Sequence, residues 1–556
     1  MQNKLIYFLL ALLIPALAVL AYWLRPGGSR QAGINLPETN YSAYDQRGYE
    51  KPCNDPHPEW RKAMRIDGVG IAESLSCEPD NPYAIAAFVK GVNNISMSTL
   101  MHTKLTEDAV LKSDDLDGDG DPDIIRIKLE VIELNGATPD GNYFLPMYAA
   151  GPGLHPGLWV FAPKTRGMAI RFVRSKQAHN MLRAPSPVIR IEQGDKVYIT
   201  LENTHYFPHT IHFHGVDHPF RTPAGGDNDG VPATGAAPVF PGASRTYELS
   251  PRHAGTMFYH CHVQTDKHLL MGLNGMLVVE ENRPNNWLQT FNIGAGKVRH
   301  SSVAVKAEYD QEYDLHYQAL DKNLSRIIQE SNDPRVIARR MNRVYNMTES
   351  QQNYYLLNGH AFPYTLRDTL IIVRPDETIK LRILNAQHSN LALHFHGHKA
   401  TVTAYDGVKL AASAQVTRDV YEVAPAQRID LRLRTKNDGL HSYGPGIWLF
   451  HDHTEPAITS DGMSPGGNIS ILAYRSFLDQ DGLPKIRGAA AGEYFDSQFY
   501  AKQRPVWGIG DFASALGDVE WLRVNHLKLL IFGLLIGLTL GLGLLSLRRI
   551  KAGASK

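Results

Sequence analysis

Five His-x-His pairs, beginning at His212, His260, His394, His396 and His451, stand out in a chain of 556 residues that holds 24 histidines. Composition alone accounts for far fewer. On an extended strand residues i and i+2 project from one face, so each pair offers two imidazoles side by side. Neutral imidazole is the commonest metal ligand in proteins. Four such pairs brought together supply eight nitrogens. One zinc ion takes only four ligands, so the set suits a cluster of copper ions. Cys261 adds a second chemistry. It lies between His260 and His262, and on a strand its thiolate faces the opposite side from their imidazoles. A soft thiolate with two imidazoles in trigonal array is the ligand set of a blue copper centre. His209, three residues before His212, and His268, seven after Cys261, are at hand to complete it.

The elements that must position these residues repeat. His212-Phe-His214-Gly215 recurs as His394-Phe-His396-Gly397, and His260-Cys261-His262 recurs as His451-Asp452-His453. Short alternating runs such as Val188–Glu192, Val197–Glu202, Leu370–Val373 and Ile379–Leu384, separated by Gly, Pro, Asn and Asp, read as strands. Two homologous β-sandwiches are the economical reading, and the fold class is all-β. Between them Leu320, Leu324, Ile327 and Ile328 recur at helical spacing, which predicts one amphipathic linker helix packed on a domain.

At these residues the chain resembles the multicopper oxidases, over about residues 125–480. It is similar in particular to the laccase-like two-domain type whose blue copper lies in the first domain. The resemblance implies two cupredoxin-like Greek-key sandwiches and four coppers per chain. One is a type 1 copper that takes single electrons from a donor; the other three form a trinuclear cluster that reduces dioxygen to water. It assigns His209, Cys261 and His268 to type 1, His212 and His394 to type 2, and His214, His260, His262, His396, His451 and His453 to the type 3 pair. Cys261, His260 and His262 become the catalytic tripeptide that carries electrons from one site to the other. A donor would dock at the exposed edge of His268. The resemblance also implies a head-to-tail homotrimer with clusters at the interfaces.

The second module departs from the pattern. Asp452 and Leu391 stand where a second type 1 site would have its cysteine and histidine. The usual axial methionine is replaced by Leu273, with Met271 close by as the alternative. His398 reads as lying behind the cluster or facing solvent, and His205, His218, His253 and His388 read as surface or loop residues. Asp217 and Asp452 are candidate proton donors.

Two charge-free apolar runs, Leu5–Leu24 and Leu529–Leu547, are each long enough to cross a bilayer core about 30 Å thick. Arg548, Arg549 and Lys551 after the second place the C-terminus in the cytoplasm and the domains outside it, in a periplasm or beyond. The first is read as an uncleaved anchor, with a signal peptide as the alternative. Gly533, Gly537 and Gly541 share one face of the second, where another helix can approach closely. Outside the cytoplasm Cys53 and Cys77 would pair as a disulfide. Asp115, Asp117, Asp119 and Asp123, separated by glycines, form a candidate calcium loop leading into the strand Ile124–Glu130.

The chain divides accordingly into a terminal anchor or signal (1–25), an extracytoplasmic extension (26–123), the first cupredoxin domain (124–285), a linker (286–349), the second domain (350–480), a tail (481–525) and a terminal transmembrane helix (526–548). The net charge of +1, with no long run of one sign, argues against a nucleic-acid partner. The rival chemistry is a copper nitrite reductase, which needs one type 2 copper with three histidines and leaves His214, His262, His396, His451 and His453 without a role. Phenols, metal ions and a protein donor all fit as the electron source.

Overall fold

The computed structural model describes residues 110–137, 148–164, 183–286, 290–298 and 308–478, with a few isolated residues and short strands besides. Cys53, Cys77 and, apart from Leu535, both terminal apolar runs fall outside the described residues. Among the described residues no helix is long and apolar enough to cross a membrane.

Two β-sandwiches follow one another. In the first, one sheet is built from β1 (Val110–Ser113), β2 (Ile124–Leu134), β3 (Leu158–Pro163), β5 (Lys196–Glu202) and β7 (Ser244–Leu249). The facing sheet holds β4 (Val188–Glu192), β6 (His212–His214), β8 (Gly255–His260), β9 (Asn274–Glu280) and β10 (Phe291–Asn292), in the order β6-β8-β9-β4-β10. Alternation makes these strands: Ile125, Ile127, Leu129 and Val131 of β2 and Val197, Ile199 and Leu201 of β5 point into one core, and Arg126 and Lys196 point out. The parallel pairings β2 with β5 and β4 with β9 interrupt otherwise antiparallel ladders, as a Greek-key path requires. Strand β1 pairs with Ile124–Ile127, so this sandwich begins before residue 124.

The second sandwich repeats the plan. Its first sheet carries β11 (Gln311–Leu320), β12 (Tyr354–Leu357), β14 (Thr378–Asn385), β16 (Ala400–Tyr405), β17 (Val408–Lys409), β18 (Val416–Arg418) and β20 (Arg428–Arg434). Its second runs β13-β22-β21-β15-β19, from Ile371–Val373, Ser470–Tyr474, Ile447–Asp452, Leu391–Phe395 and Val420–Val423. Strand β11 lies within residues assigned from sequence to the linker. Its alternate residues Glu312, Asp314, His316 and Gln318 are polar yet buried, because they face the first sandwich rather than solvent. There Arg190 meets Asp314 at 2.7 Å and Glu312 at 3.3 Å, while Arg382 meets Glu312, Glu280 and Asp430. Phe258, Met276 and Val278 of the first domain share an apolar cluster with Leu384 and Ala386 of the second.

Two helices join the sandwiches. Asp321 caps α1 (Lys322–Gln329) by accepting from the backbone N–H of Asn323 and Leu324, and Asp333 followed by Pro334 starts α2 (Pro334–Arg339). Leu324, Ile327, Ile328 and Ile337 bury against the core of the first sandwich together with Val263, Leu270 and Met271. The helix pair therefore packs on the core that includes the loop following Cys261.

Candidate metal centres

The first centre forms where β8 ends. Phe258 and His260 lie on one face of that strand; Tyr259 and Cys261 turn to the other, into the core. Cys261 Sγ stands 3.6 Å from His209 Nδ1 and 3.3 Å from His268 Nδ1, and all three residues are at most 2% exposed. A backbone bond from Cys261 N–H to the Leu273 carbonyl at 3.0 Å holds the cysteine, and the one-turn helix Thr265–His268 delivers the second imidazole. Burial pushes the Cys261 thiol up to about 12 and the His268 imidazole down to about 3. The apoprotein thus keeps a neutral thiol and neutral rings, and a bound cation would displace the thiol proton. One thiolate and two Nδ1 atoms fit a copper ion of the blue type. Met271 and Leu273 are both fully buried beside it.

The sequence places His268 at an exposed edge; the structure corrects this. At 2% exposure, its ring packs edge-on to Trp159 with centroids 5.2 Å apart, inside a core that also takes in the helix pair. His205 also departs from the surface reading. At 5% exposure it lies against His209, its Nδ1 at 2.9 Å from His209 Nε2. Trp159 and Glu133, which contacts His205 at 3.8 Å, carry no spacing motif and were invisible in the sequence.

Two further clusters are each made of four imidazoles. In the first sandwich β6 pairs with β8 so that His212 lies opposite His260, and His214 Nε2 reaches 3.0 Å from His260 Nε2. His262 joins with its ring 5.2 Å from that of His212. Phe213, between the two histidines, buries in the core and fixes the strand face. The loop carrying Asp229 closes over β6 because Gly230 adopts φ 73°; a Cβ there would stand 2.0 Å from the Ile211 carbonyl oxygen. Its carbonyl takes the His212 Nδ1 contact at 2.8 Å. His260 Nδ1 contacts the Cys261 carbonyl at 2.9 Å. Donation through Nδ1 leaves Nε2 as the lone pair for a metal. Burial first, and the neighbouring imidazoles after it, lower His260 to about 3 and His214 to about 4.

The second sandwich repeats this geometry. His394 lies opposite His451 across β15 and β21, His396 Nε2 is 3.2 Å from His451 Nε2, and the His453 ring is 5.4 Å from that of His451. His394 and His451 turn Nδ1 to the carbonyls of Asp419 and Asp452. Among the described residues no ring contact joins the two quartets within one chain. Gly215, next to His214, abuts Arg428 at the start of β20 and Asp406 in the turn after β16. His453 is exposed.

Asp217 does not serve the cluster as the sequence suggests. Arg252 donates to its Oδ1 from Nη2 at 2.6 Å and Nε at 3.0 Å, and to Oδ2 from its backbone N–H at 2.9 Å; these bonds hold the carboxyl below the usual range, which makes it a poor proton donor. Asp452 is fully buried in the position matching Cys261. Its Oδ1 accepts from Ala392 and Thr454 N–H, while Oδ2 has no partner. His398 is buried behind His396, bonded to Tyr474 and Ser442. His388 and His253 are exposed, and His218 is half-buried near His212. In the acidic loop, Asp115, Asp117 and Asp123 offer oxygens within 4.8 Å of one another; Asp119 stands outside that set.

Two family models, each described as multicopper oxidase, match residues 179–284 and 337–465, one on each sandwich. The chain is 26% identical over 249 residues to "Laccase-15" of Oryza sativa subsp. japonica, covering 44% of this chain and 36% of that protein. It is 26% identical over 263 residues to "Iron transport multicopper oxidase fetC" of Epichloe festucae, covering 46% and 35%. The chain therefore spans little more than a third of the length of these relatives. Among solved structures it resembles a blue copper oxidase from Nitrosomonas europaea at 22% identity and TM-score 0.46, covering 67% of this chain and 93% of that one.

Proposed function

We propose that the chain, which matches multicopper oxidase family models on both sandwiches, couples one-electron oxidation of a donor to four-electron reduction of dioxygen to water. The observation that carries the reading is one tripeptide. Cys261 turns into the core toward His209 and His268, while His260 and His262 on either side of it turn toward His212 and His214. Bound at these residues, copper supplies single-electron acceptance at the thiolate and dioxygen reduction at the imidazole cluster. The chain's own part is to hold the donor atoms, and to keep the two sites joined within three consecutive residues. Neutral imidazoles with Nδ1 engaged stay available as ligands. Buried Cys261 is kept from solvent oxidants.

The ligand division is one type 1 copper at His209, Cys261 and His268, one type 2 copper at His212 and His394, and a type 3 pair at His214, His260, His262, His396, His451 and His453. Leu273 rather than Met271 would border a copper held at these three residues in this reading, and the absence of a thioether donor would raise its potential. In this reading the first sandwich of one subunit meets the second sandwich of the next, and three such heterologous contacts close a ring. The ring is held at a membrane by the terminal apolar runs, with the sandwiches outside the cytoplasm. A nitrite reductase needs no second quartet in β15 and β21.

Copper analysis and dioxygen uptake on one sample test this. Four coppers per chain and dioxygen consumption with a one-electron donor are expected; two coppers and nitrite reduction would sink the reading. We also propose that Asp115, Asp117 and Asp123 hold calcium with a structural role. Chelation is then expected to lower the melting temperature by several degrees, about 1 kcal/mol for a domain of this size, with recovery on adding calcium but not magnesium. An unchanged melting curve would leave the loop an acidic turn.

A further inference from the structure

Burial of His268 leaves open where electrons enter. The side chains between the Cys261 site and the surface are aromatic and share one carboxylate. Trp159 is fully buried, with its ring 5.2 Å from His268 and 6.0 Å from His209. Tyr206 is half-buried; its ring lies 6.4 Å from Trp159 and 4.0 Å from His205, whose ring is 5.0 Å from His209. Glu133 Oε2 accepts from Trp159 Nε1–H at 2.9 Å and from the Tyr206 hydroxyl. The carboxylate is fitted into place: a Cβ on Gly136 would stand 1.8 Å from Glu133 Oε1. Tyrosine and tryptophan are the side chains most readily oxidised by one electron after thiolate, and a phenol loses its electron far more easily when a bonded base takes the proton. Burial, and then the Glu133 charge, hold the Tyr206 phenol above its ordinary range, so it rests protonated on that base.

We propose that Tyr206 and Trp159 are the electron entry to the Cys261 site, with Glu133 as the acceptor of the tyrosyl proton, so that the donor docks over Tyr206 rather than at His268. This rests on the reading of Cys261, His209 and His268 as a type 1 copper site. The step balances. Tyr206 gives one electron by way of Trp159 to the cupric ion held at Cys261, and its phenolic proton moves to Glu133. A docked one-electron donor returns the electron, and the proton goes back to the Tyr206 oxygen.

Anaerobic stopped-flow mixing of the copper-loaded protein with ferrocyanide tests it, read as the bleaching rate of the blue band. Tyr206→Phe is expected to slow bleaching by about tenfold or more, and to abolish the solvent deuterium effect seen in the wild type, while band intensity and reduction potential stay unchanged. Glu133→Gln is expected to slow it likewise. The copper-free protein gives a second readout. The ultraviolet difference between wild type and Y206F isolates one phenol among 25 tyrosines, and its ionisation is expected later in pH than an ordinary tyrosine but earlier in E133Q. A normal blue band with an unchanged bleaching rate in Y206F overturns the relay alone, as does a Tyr206 that titrates normally. A wild type that loads copper without a blue band overturns the type 1 reading, and the relay with it.

Discussion

Replacing Cys261 with serine is expected to erase the blue absorption and to cut turnover with any one-electron donor by about a thousandfold or more, equivalent to roughly 4 kcal/mol of barrier. The argument lies in the position of one sulfur. Sγ is the sole soft ligand at the site, 3.3 and 3.6 Å from the two Nδ1 atoms, and the intense colour of such centres comes from the copper–thiolate bond. Serine matches the shape of cysteine closely enough to fold at a fully buried position, but its hydroxyl is a hard ligand with no comparable bond. The same substitution cuts the link to His260 and His262, so single electrons no longer reach the cluster. Copper at the histidine quartets should survive, because none of their imidazoles contacts the sulfur. Copper content is therefore expected to fall by one ion per chain and no more. A C261S protein that keeps the blue band would place the thiolate ligand elsewhere, yet Cys261 is the one cysteine among the described residues.

The clustering of the histidines and Cys261 was legible because strand periodicity acts on neighbouring residues. His-x-His on β6 and at the ends of β8, β15 and β21 needs only alternation to place two rings on one face, and Phe213, Phe395 and Tyr259 between or beside them supply the apolar anchor that sets which face. The helix Lys322–Gln329 was legible for the same kind of reason, since Leu324, Ile327 and Ile328 mark one stripe. What surrounds the Cys261 site was not. Trp159, Glu133 and His205 come from three separate segments, and their common neighbourhood is set by the β2–β3 and β2–β5 pairings rather than by spacing. Burial of His268 depends on packing against Trp159, more than 100 residues away in sequence. The strand Gln311–Leu320 was misassigned to the linker for a physical reason. Its polar alternate residues look like a solvent face, but Glu312 and Asp314 pair with Arg190 across the domain interface.

Mixing two inactive variants is expected to restore activity, and this distinguishes a shared cluster from one built within a chain. His214→Ala disables the quartet of the first sandwich and His451→Ala that of the second; each variant alone is expected to be inactive, with the blue band retained. In a head-to-tail ring every cluster joins the first sandwich of one subunit to the second of its neighbour. Random reassembly of equal amounts therefore leaves an interface intact when an H451A subunit gives the first half and an H214A subunit the second, restoring about a quarter of wild-type turnover. If one chain closed its own cluster, each chain would keep its defect and mixing would restore nothing. Gly215, beside His214, has Met257, Arg428 and Asp406 as its nearest neighbours and His453 stands exposed; on the shared-cluster reading the first outcome is expected. The surviving electron path constrains the arithmetic further. Both variants keep Cys261, so each subunit still accepts electrons, and the recovered fraction counts intact clusters rather than working donor sites. Recovery must then follow the product of the two variant fractions, with a maximum at equal amounts and a fall on either side, a dependence that contamination by wild-type protein cannot mimic.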